Sequence, residues 1–158
     1  MLPKSKWRQF GHEGNNKKGI IVHNTNNQQM SAEELEKWLK NDCRTSQGCH
    51  FIVDHKEVRK VMPLSWSVYN VGNALAFGNT DCIAVEICSN PSEKLYLLGQ
   101  SKAIDLIIML MGKFGLTSHD IYFHRDFQQN INCPAQILNI YGSKDKFLQE
   151  IERRINGD

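Results

Sequence analysis

The longest helical pattern in the sequence runs from Glu93 to Phe114, and it constrains the fold more than any other stretch. Apolar residues recur in it at intervals of three and four, which places them on one face: Ala103, Leu106, Ile107, Leu110 and Phe114. Gly115 follows directly and suits the C-terminal cap of a helix. A helix with so broad an apolar face needs a large surface against it, and we expect it to support a β-sheet from behind.

The predicted strands of that sheet show the alternation of side chains that strands require. In residues 19–25 this alternation places His23 on one face, and in residues 81–88 it places Glu86 between two small side chains. A hairpin is predicted around residues 54–56. Strands and helices mix along one chain, so we expect a single α/β domain whose mixed, mostly parallel β-sheet is flanked by helices.

Length, charge and hydropathy exclude several classes of protein. The 158 residues correspond to one typical domain, and the formal net charge of +2 is too small to argue for a nucleic-acid partner. The densest apolar run, residues 106–111, is far shorter than the ~18 residues that span a bilayer, and no signal peptide opens the chain. We expect a protein that is made in the cytoplasm and has no membrane span.

The five cysteines form an odd set without a secretion signal, so free or metal-bound thiols are expected rather than a disulfide framework. Only Cys133 has a histidine, His124, at a spacing that suits two ligands of one ion. The other four are expected to pack as small hydrophobic residues: Cys43, Cys49, Cys82 and Cys88.

His124 ends one predicted strand and Cys133 precedes a predicted helix start, while His23 ends another predicted strand about a hundred residues upstream. Imidazole and thiolate groups are both good zinc ligands. Three protein ligands leave one coordination position open, as catalytic zinc sites do. We therefore predict that His23, His124 and Cys133 bind Zn²⁺.

Glu86 lies in the middle of a predicted strand, either at an edge that faces water or on the floor of a cavity. The metal hypothesis favours the cavity. There the carboxylate would accept a proton from the attacking water and deliver it to a leaving amine. These groups together predict a metal-assisted amide hydrolase with Glu86 as its catalytic residue.

At these same residues the sequence resembles the zinc-dependent type 2 N-acetylmuramoyl-L-alanine amidases of bacteriophage endolysins and bacterial autolysins, which are related to the peptidoglycan recognition proteins. The resemblance rests on four motifs in the right order: residues 22–25 (VHNT), 48–54 (GCHFIVD), 83–88 (IAVEIC), and His124 followed by 133–135 (CPA). It implies a zinc in a surface groove, held by His23, His124 and Cys133, with Glu86 as the acidic catalytic residue.

The resemblance also implies a substrate and a domain organisation. The substrate would be bacterial peptidoglycan, cut between the lactyl group of muramic acid and L-alanine. Residues 1–158 would form one amidase domain, with an N-terminal arm (1–18), a family-like core (19–138) and a C-terminal helix (139–158). A wall-binding domain beyond this chain, and release by lysis or holin-type export, would fit a phage enzyme.

Three positions depart from the family pattern. Many members carry a lysine two residues before the cysteine ligand, where this chain has Ile131. Asn70 replaces the histidine of a Trp-His-Ala-Gly motif, and Cys49 stands where some relatives have a catalytic tyrosine. Other cations are candidate replacements for the missing lysine: Arg125, Arg59 and Lys60.

Two side chains and two other functions stay open at this point. His50 and Asn70 are candidate contacts for the stem peptide, or else structural residues. The departures at Ile131 and Asn70 allow a catalytically weak module that binds peptidoglycan without cutting it. A thiol hydrolase built on Cys133 and His124 is a poorer interpretation, because it leaves His23 and Glu86 without a role.

Overall fold

The computed structural model describes residues 1–157, and a five-stranded sheet forms its centre. The strands, in chain order, are β1 (Gly19–Asn24), β2 (Phe51–Val53), β3 (Val58–Lys60), β4 (Cys82–Ile87) and β5 (Ile121–Phe123). Their order in space is β3-β2-β4-β1-β5. Only the β2–β3 hairpin is antiparallel among these pairs, which confirms the predicted mixed, mostly parallel sheet.

Six α-helices flank the sheet in the described part of the chain. They are α1 (Lys4–Phe10), α2 (Ala32–Asn41), α3 (Phe77–Thr80), α4 (Glu93–Phe114), α5 (Ala135–Tyr141) and α6 (Lys144–Asn156). Two short 3-10 turns, Ser118–Asp120 and His124–Asp126, stand on either side of β5.

The helix α4 covers one face of the sheet, together with α5 and α6. It begins at the predicted residue, where the Ser92 side chain accepts a hydrogen bond from the N–H of Leu95, and it ends at Gly115, whose φ is 66°. Alternate residues of the central strands, including Ile20 and Val22, are buried against this layer. The predicted support behind the sheet is confirmed.

By length and composition alone, α4 could cross a membrane, since its most apolar window has a mean hydropathy of 1.3. Half of that window is buried inside the protein, where Ile104, Ile107 and Leu110 pack in the main core. The core helix of a folded domain has the same composition, and packing accounts for the apolar residues of α4.

The opposite face of the sheet carries two candidate site residues, His23 and Glu86. Helices α1 and α2 cover part of it, through a cluster that includes Phe10, Leu39 and Ala84. Because successive side chains of a strand point to opposite faces, His23 and Glu86 share this face rather than the α4 face. The predicted alternation in residues 19–25 and 81–88 is therefore confirmed.

Three short helices complete the described fold. The N-terminal arm contains α1, which Leu2 and Phe10 anchor in the core. The loop after the hairpin ends in α3, and the residues that follow Cys133 and Pro134 form the helix α5. The predicted C-terminal segment, 139–158, contains the end of α5 and all of α6, and its residue 158 lies outside the described residues.

A close backbone contact fixes α1 against the loop that follows β3. A Cβ at Gly11 would lie 1.8 Å from the backbone oxygen of Ser67, so we expect Gly11→Ala to lower the free energy of unfolding by about 2–3 kcal/mol. Gly112→Ala is the matched control, because its Cβ meets nothing within 4 Å and alanine stabilises a helix by about 0.5–1 kcal/mol. Urea unfolding measures both, and equal midpoints for Gly11→Ala and wild type would contradict the contact.

Candidate metal site and its acidic residue

The first two candidate site residues come from neighbouring central strands. His23 of β1 lies opposite Glu86 of β4 in parallel register, near the carboxyl ends of both strands. Ile52 of β2 lies on the other side of Glu86, so the carboxylate belongs to an inner strand. The alternative that Glu86 stands on an edge strand is therefore wrong.

The other two candidate ligands lie on a loop that closes over the end of β1. His124 directly follows β5, and Cys133 precedes α5. The N–H of Arg125 donates to the carbonyl of Cys133 at 3.1 Å, which ties the two ends of the loop together. Asn24 then anchors α5, since its Oδ1 accepts hydrogen bonds from the N–H groups of Gln136 and Ile137.

These elements bring His23, His124 and Cys133 together. One donor atom from each lies within 4.8 Å of the other two. Cys133 Sγ lies 3.7 Å from His23 Nδ1, and the two imidazole centroids are 4.9 Å apart. Donor atoms that share a tetrahedral zinc lie roughly 3.3–3.6 Å apart, given the usual bond lengths. The donor set and its spacing fit a metal ion, and its assignment as a ligand set stays a prediction.

Carboxamide side chains determine which nitrogen of each imidazole is free. His23 Nε2 lies 2.9 Å from Asn70 Oδ1, and His124 Nε2 lies 2.7 Å from Gln128 Oε1. An amide oxygen only accepts, so both Nε2 atoms carry the proton. The Asn70 amide is fixed in this orientation because its Nδ2 donates to the carbonyls of Val68 and Gly78. Both Nδ1 atoms are thus left with a lone pair for a ligand.

Burial sets the protonation of the donors in the metal-free site. It lowers the pKa of His23 to about 3, with a further contribution from the charge of His124, so the imidazole is neutral at ordinary pH. Burial, together with the nearby charge of Glu86, raises the pKa of Cys133 to about 12. A bound cation would therefore displace the proton of the Cys133 thiol.

Glu86 is unusual among the acidic residues of the chain. Its side chain is partly exposed, yet burial raises its pKa to about 8. Within residues 1–157 its carboxyl group has no hydrogen-bond or ion-pair partner. A desolvated and unpaired carboxyl beside a ligand cluster is typical of a group that transfers protons.

Of the two alternatives for His50, a contact to the stem peptide or a structural role, its surroundings favour the structural role. Its side chain is fully buried. Nδ1 accepts a hydrogen bond from the N–H of Ala84 at 2.9 Å, and Nε2 donates to the carbonyl of Trp66 at 2.8 Å. Burial lowers its pKa to about 4, which keeps the ring neutral. With both nitrogens committed to backbone groups, the ring stabilises the link between β2, β4 and the following loop.

For Asn70, too, the surroundings favour a structural role over a contact to the stem peptide. Its side chain is 6% exposed, and its hydrogen-bonding atoms are directed at His23 and at the backbone of its own loop. It therefore acts on a candidate ligand rather than on substrate. Gln128 and Asn79 complete these contacts, and no local pattern in the sequence singled them out.

The three cations that could replace the missing lysine differ in how close they lie to the candidate site. Arg59 lies on the edge strand β3 and pairs with Glu36 at 2.7 Å and Glu57 at 2.8 Å, so it is committed elsewhere. Lys60 lies on the same strand, two strands away from the strand of Glu86 and three away from that of His23. Arg125 directly follows His124 and is exposed, which makes it the best placed of the three.

Comparisons with known proteins give a consistent picture. The family model described as N-acetylmuramoyl-L-alanine amidase matches residues 13–136. The N-acetylmuramoyl-L-alanine amidase XlyB of Bacillus subtilis (strain 168) is 31% identical over 140 residues, which cover 87% of this chain and 43% of XlyB. The chain thus spans less than half the length of this curated relative.

Solved structures share the fold. The structure of PlyL superposes with a TM-score of 0.85 at 24% identity, covering 95% of this chain and 92% of PlyL. A mutant endolysin from Bacillus subtilis superposes with a TM-score of 0.83 at 27% identity, covering 96% of this chain and 95% of that protein.

Proposed function

The chain belongs to the family of N-acetylmuramoyl-L-alanine amidases, and from this membership we propose that it hydrolyses peptidoglycan at the amide bond between the lactyl group of N-acetylmuramic acid and L-alanine. The observation that carries the proposal is the convergence of His23, His124 and Cys133 beside the unpaired carboxyl of Glu86. The metal that best suits two imidazoles and one thiolate is zinc.

A zinc ion held by these ligands supplies Lewis acidity, which polarises the scissile carbonyl and makes water more acidic. Glu86 accepts a proton from the attacking water as the new C–O bond forms, and it donates that proton to the L-alanine nitrogen as the C–N bond breaks. Its raised pKa suits both steps, because a carboxyl whose pKa lies near the operating pH can both accept and release a proton. The products are a free lactyl carboxylate and a stem peptide with a new amino terminus.

Removing the metal is expected to abolish this reaction. Purified cell wall is incubated with the protein before and after chelation, and new amino termini are quantified. We expect release to stop in chelator and to return when zinc is added, because the polarising ion is worth several kcal/mol of transition-state stabilisation. Release that persists in excess chelator would contradict the proposal. Binding to the wall without any release would instead indicate a peptidoglycan-binding module. The observation that favours this alternative is Ile131, which stands where many members of the family have a lysine.

We also propose that the protein acts as a phage endolysin, made in the cytoplasm and given access to the wall by lysis or holin-type export. The likeness to an endolysin at 27% identity supports this. The protein should lyse expressing bacteria only after the membrane is permeabilised. Lysis during expression in cells with an intact membrane would contradict this route.

A further inference from the structure

One short segment contacts both candidate histidines through carboxamide groups. Asn70 Oδ1 accepts the hydrogen bond from His23 Nε2 at 2.9 Å. Two residues later, the N–H of Gly72 donates to Gln128 Oε1 at 3.0 Å, and this same oxygen accepts from His124 Nε2 at 2.7 Å. Residues 70–72 therefore connect the imidazole at the end of β1 with the imidazole at the end of β5.

Asn79 fixes the conformation of this segment. Its side chain is fully buried, and its Oδ1 accepts hydrogen bonds from the N–H groups of Asn70 (2.7 Å) and Val71 (2.9 Å) and from Asn70 Nδ2 (3.0 Å). Its Nδ2 donates to the carbonyls of Val71 and Asn73 at 2.8 and 2.7 Å. One buried amide thus holds the backbone from which both histidine contacts are made.

The contact between the Gly72 backbone and Gln128 is too close to accommodate a side chain at position 72. A Cβ added at Gly72 would lie 2.4 Å from Gln128 Nε2 and 2.8 Å from its amide carbon. The Gln128 side chain lies directly on the Gly72 backbone, so any side chain at position 72 would displace the amide that accepts from His124. The orientation of His124 therefore depends on the position of the segment.

We propose that residues 70–72, together with Gln128, form a positioning device that fixes the tautomer and orientation of both imidazoles and so sets the metal affinity. The inference rests on the proposed metal site and adds the residues that tune it. Partners of the second imidazole nitrogen change metal affinity by about 10–100-fold in other metalloproteins. Because both contacts depend on one segment, the effects of Asn70 and Gln128 should be coupled.

The test is the zinc affinity of purified variants, measured by competition with a chromophoric chelator. Gln128→Met removes the acceptor and keeps the shape, and we expect zinc to bind about 10–100-fold more weakly. Gln128→Glu keeps an oxygen that accepts both hydrogen bonds, and should bind within a few-fold of wild type. Gln129→Met is the matched control, since Gln129 is exposed and its side chain has no partner within residues 1–157. It should bind like wild type.

Asn70→Leu tests the other contact and the coupling. We expect Asn70→Leu to lose a similar factor in zinc affinity. In the Gln128→Met, Asn70→Leu double variant, the fold-loss of zinc affinity should be smaller than the product of the two single fold-losses. If Asn70→Leu fails to fold, Gln128→Met decides the question, since its half-buried side chain is not part of the core. Wild-type affinity in Gln128→Met would overturn the positioning role alone, whereas a wild-type protein that binds no zinc would overturn the metal site itself.

Discussion

Replacing Glu86 with glutamine is expected to lower amide hydrolysis by about two to four orders of magnitude, because an amide cannot relay the proton from water to the leaving amine. The same change should stabilise the metal-free protein, because it removes a carboxylate that burial disfavours. The first effect is measured as the rate of release of new amino termini from purified wall in the presence of zinc. Wild-type activity in this variant would contradict the role of Glu86.

The stabilising effect has a defined dependence on pH. Burial raises the pKa of Glu86 from 4.5 to about 8, so between these values the unfolded chain releases a proton that the folded protein keeps. Wild-type stability therefore falls as pH rises through this window, and the glutamine variant is spared that loss. Its advantage should be close to zero below pH 4.5 and about 2 kcal/mol near pH 8, after allowance for the partial exposure of the side chain.

Urea unfolding in chelator at pH 4.5 and pH 8 measures this difference. Glu13→Gln is the matched control, because Glu13 is exposed and the substitution should change stability by less than about 0.5 kcal/mol at either pH. A Glu86→Gln variant that is no more stable than wild type at pH 8 would show that the carboxylate is well solvated in the folded protein.

Replacing Cys133 with serine is expected to weaken zinc binding by more than about a hundredfold, since a direct ligand contributes more than its outer partners do. The serine hydroxyl stays protonated and is a poor ligand for zinc. Hydrolysis should be lost together with the metal. Zinc at a thousand times the wild-type dissociation constant should stabilise wild type by about 4 kcal/mol, and the variant by no more than about 1.4 kcal/mol at the same concentration. Zinc titration and thermal unfolding measure the two effects.

Cys43→Ser is the matched control for this experiment. Cys43 is also buried, and its thiol contacts the carbonyl and hydroxyl oxygens of Thr45, which a serine hydroxyl can also reach. This variant should bind zinc like wild type. If the Cys133 variant is inactive while wild type stays active in excess chelator, the metal role is refuted and Cys133 acts as a nucleophile, for which His23 Nδ1 at 3.7 Å would be the base.

Elements with strong local signals could be predicted from the sequence. The capping box at Ser31 and Glu34 starts α2, and the bounds of α4 follow from Ser92 and Gly115. The ends of three predicted strands or loops also held His23, His124 and Cys133, which the fold brings together. The carboxyl ends of parallel strands lie at the same edge of a sheet. Alternation of side chains locates the strand ends, and so it also indicates which residues can lie close together in a site.

Contacts between distant residues could not be predicted in this way. Asn70 and His23 are 47 residues apart, and no periodicity links an amide in a loop to a histidine in a strand. The burial of His50 depends on the carbonyl of Trp66, which tertiary packing alone places there. Helices α1 and α5 have seven residues each, too few for an amphipathic pattern to distinguish them from turns.

The pairing of β1 with β4 has a consequence for how such a domain can change its preferences. The spacing between the first histidine and the acid is set by ladder hydrogen bonds inside the sheet, where His23 stands directly across from Glu86. Surrounding loops can gain or lose residues without altering that spacing. Loop exchange can therefore remodel the surroundings of His23 and Glu86 while these two side chains keep their spacing.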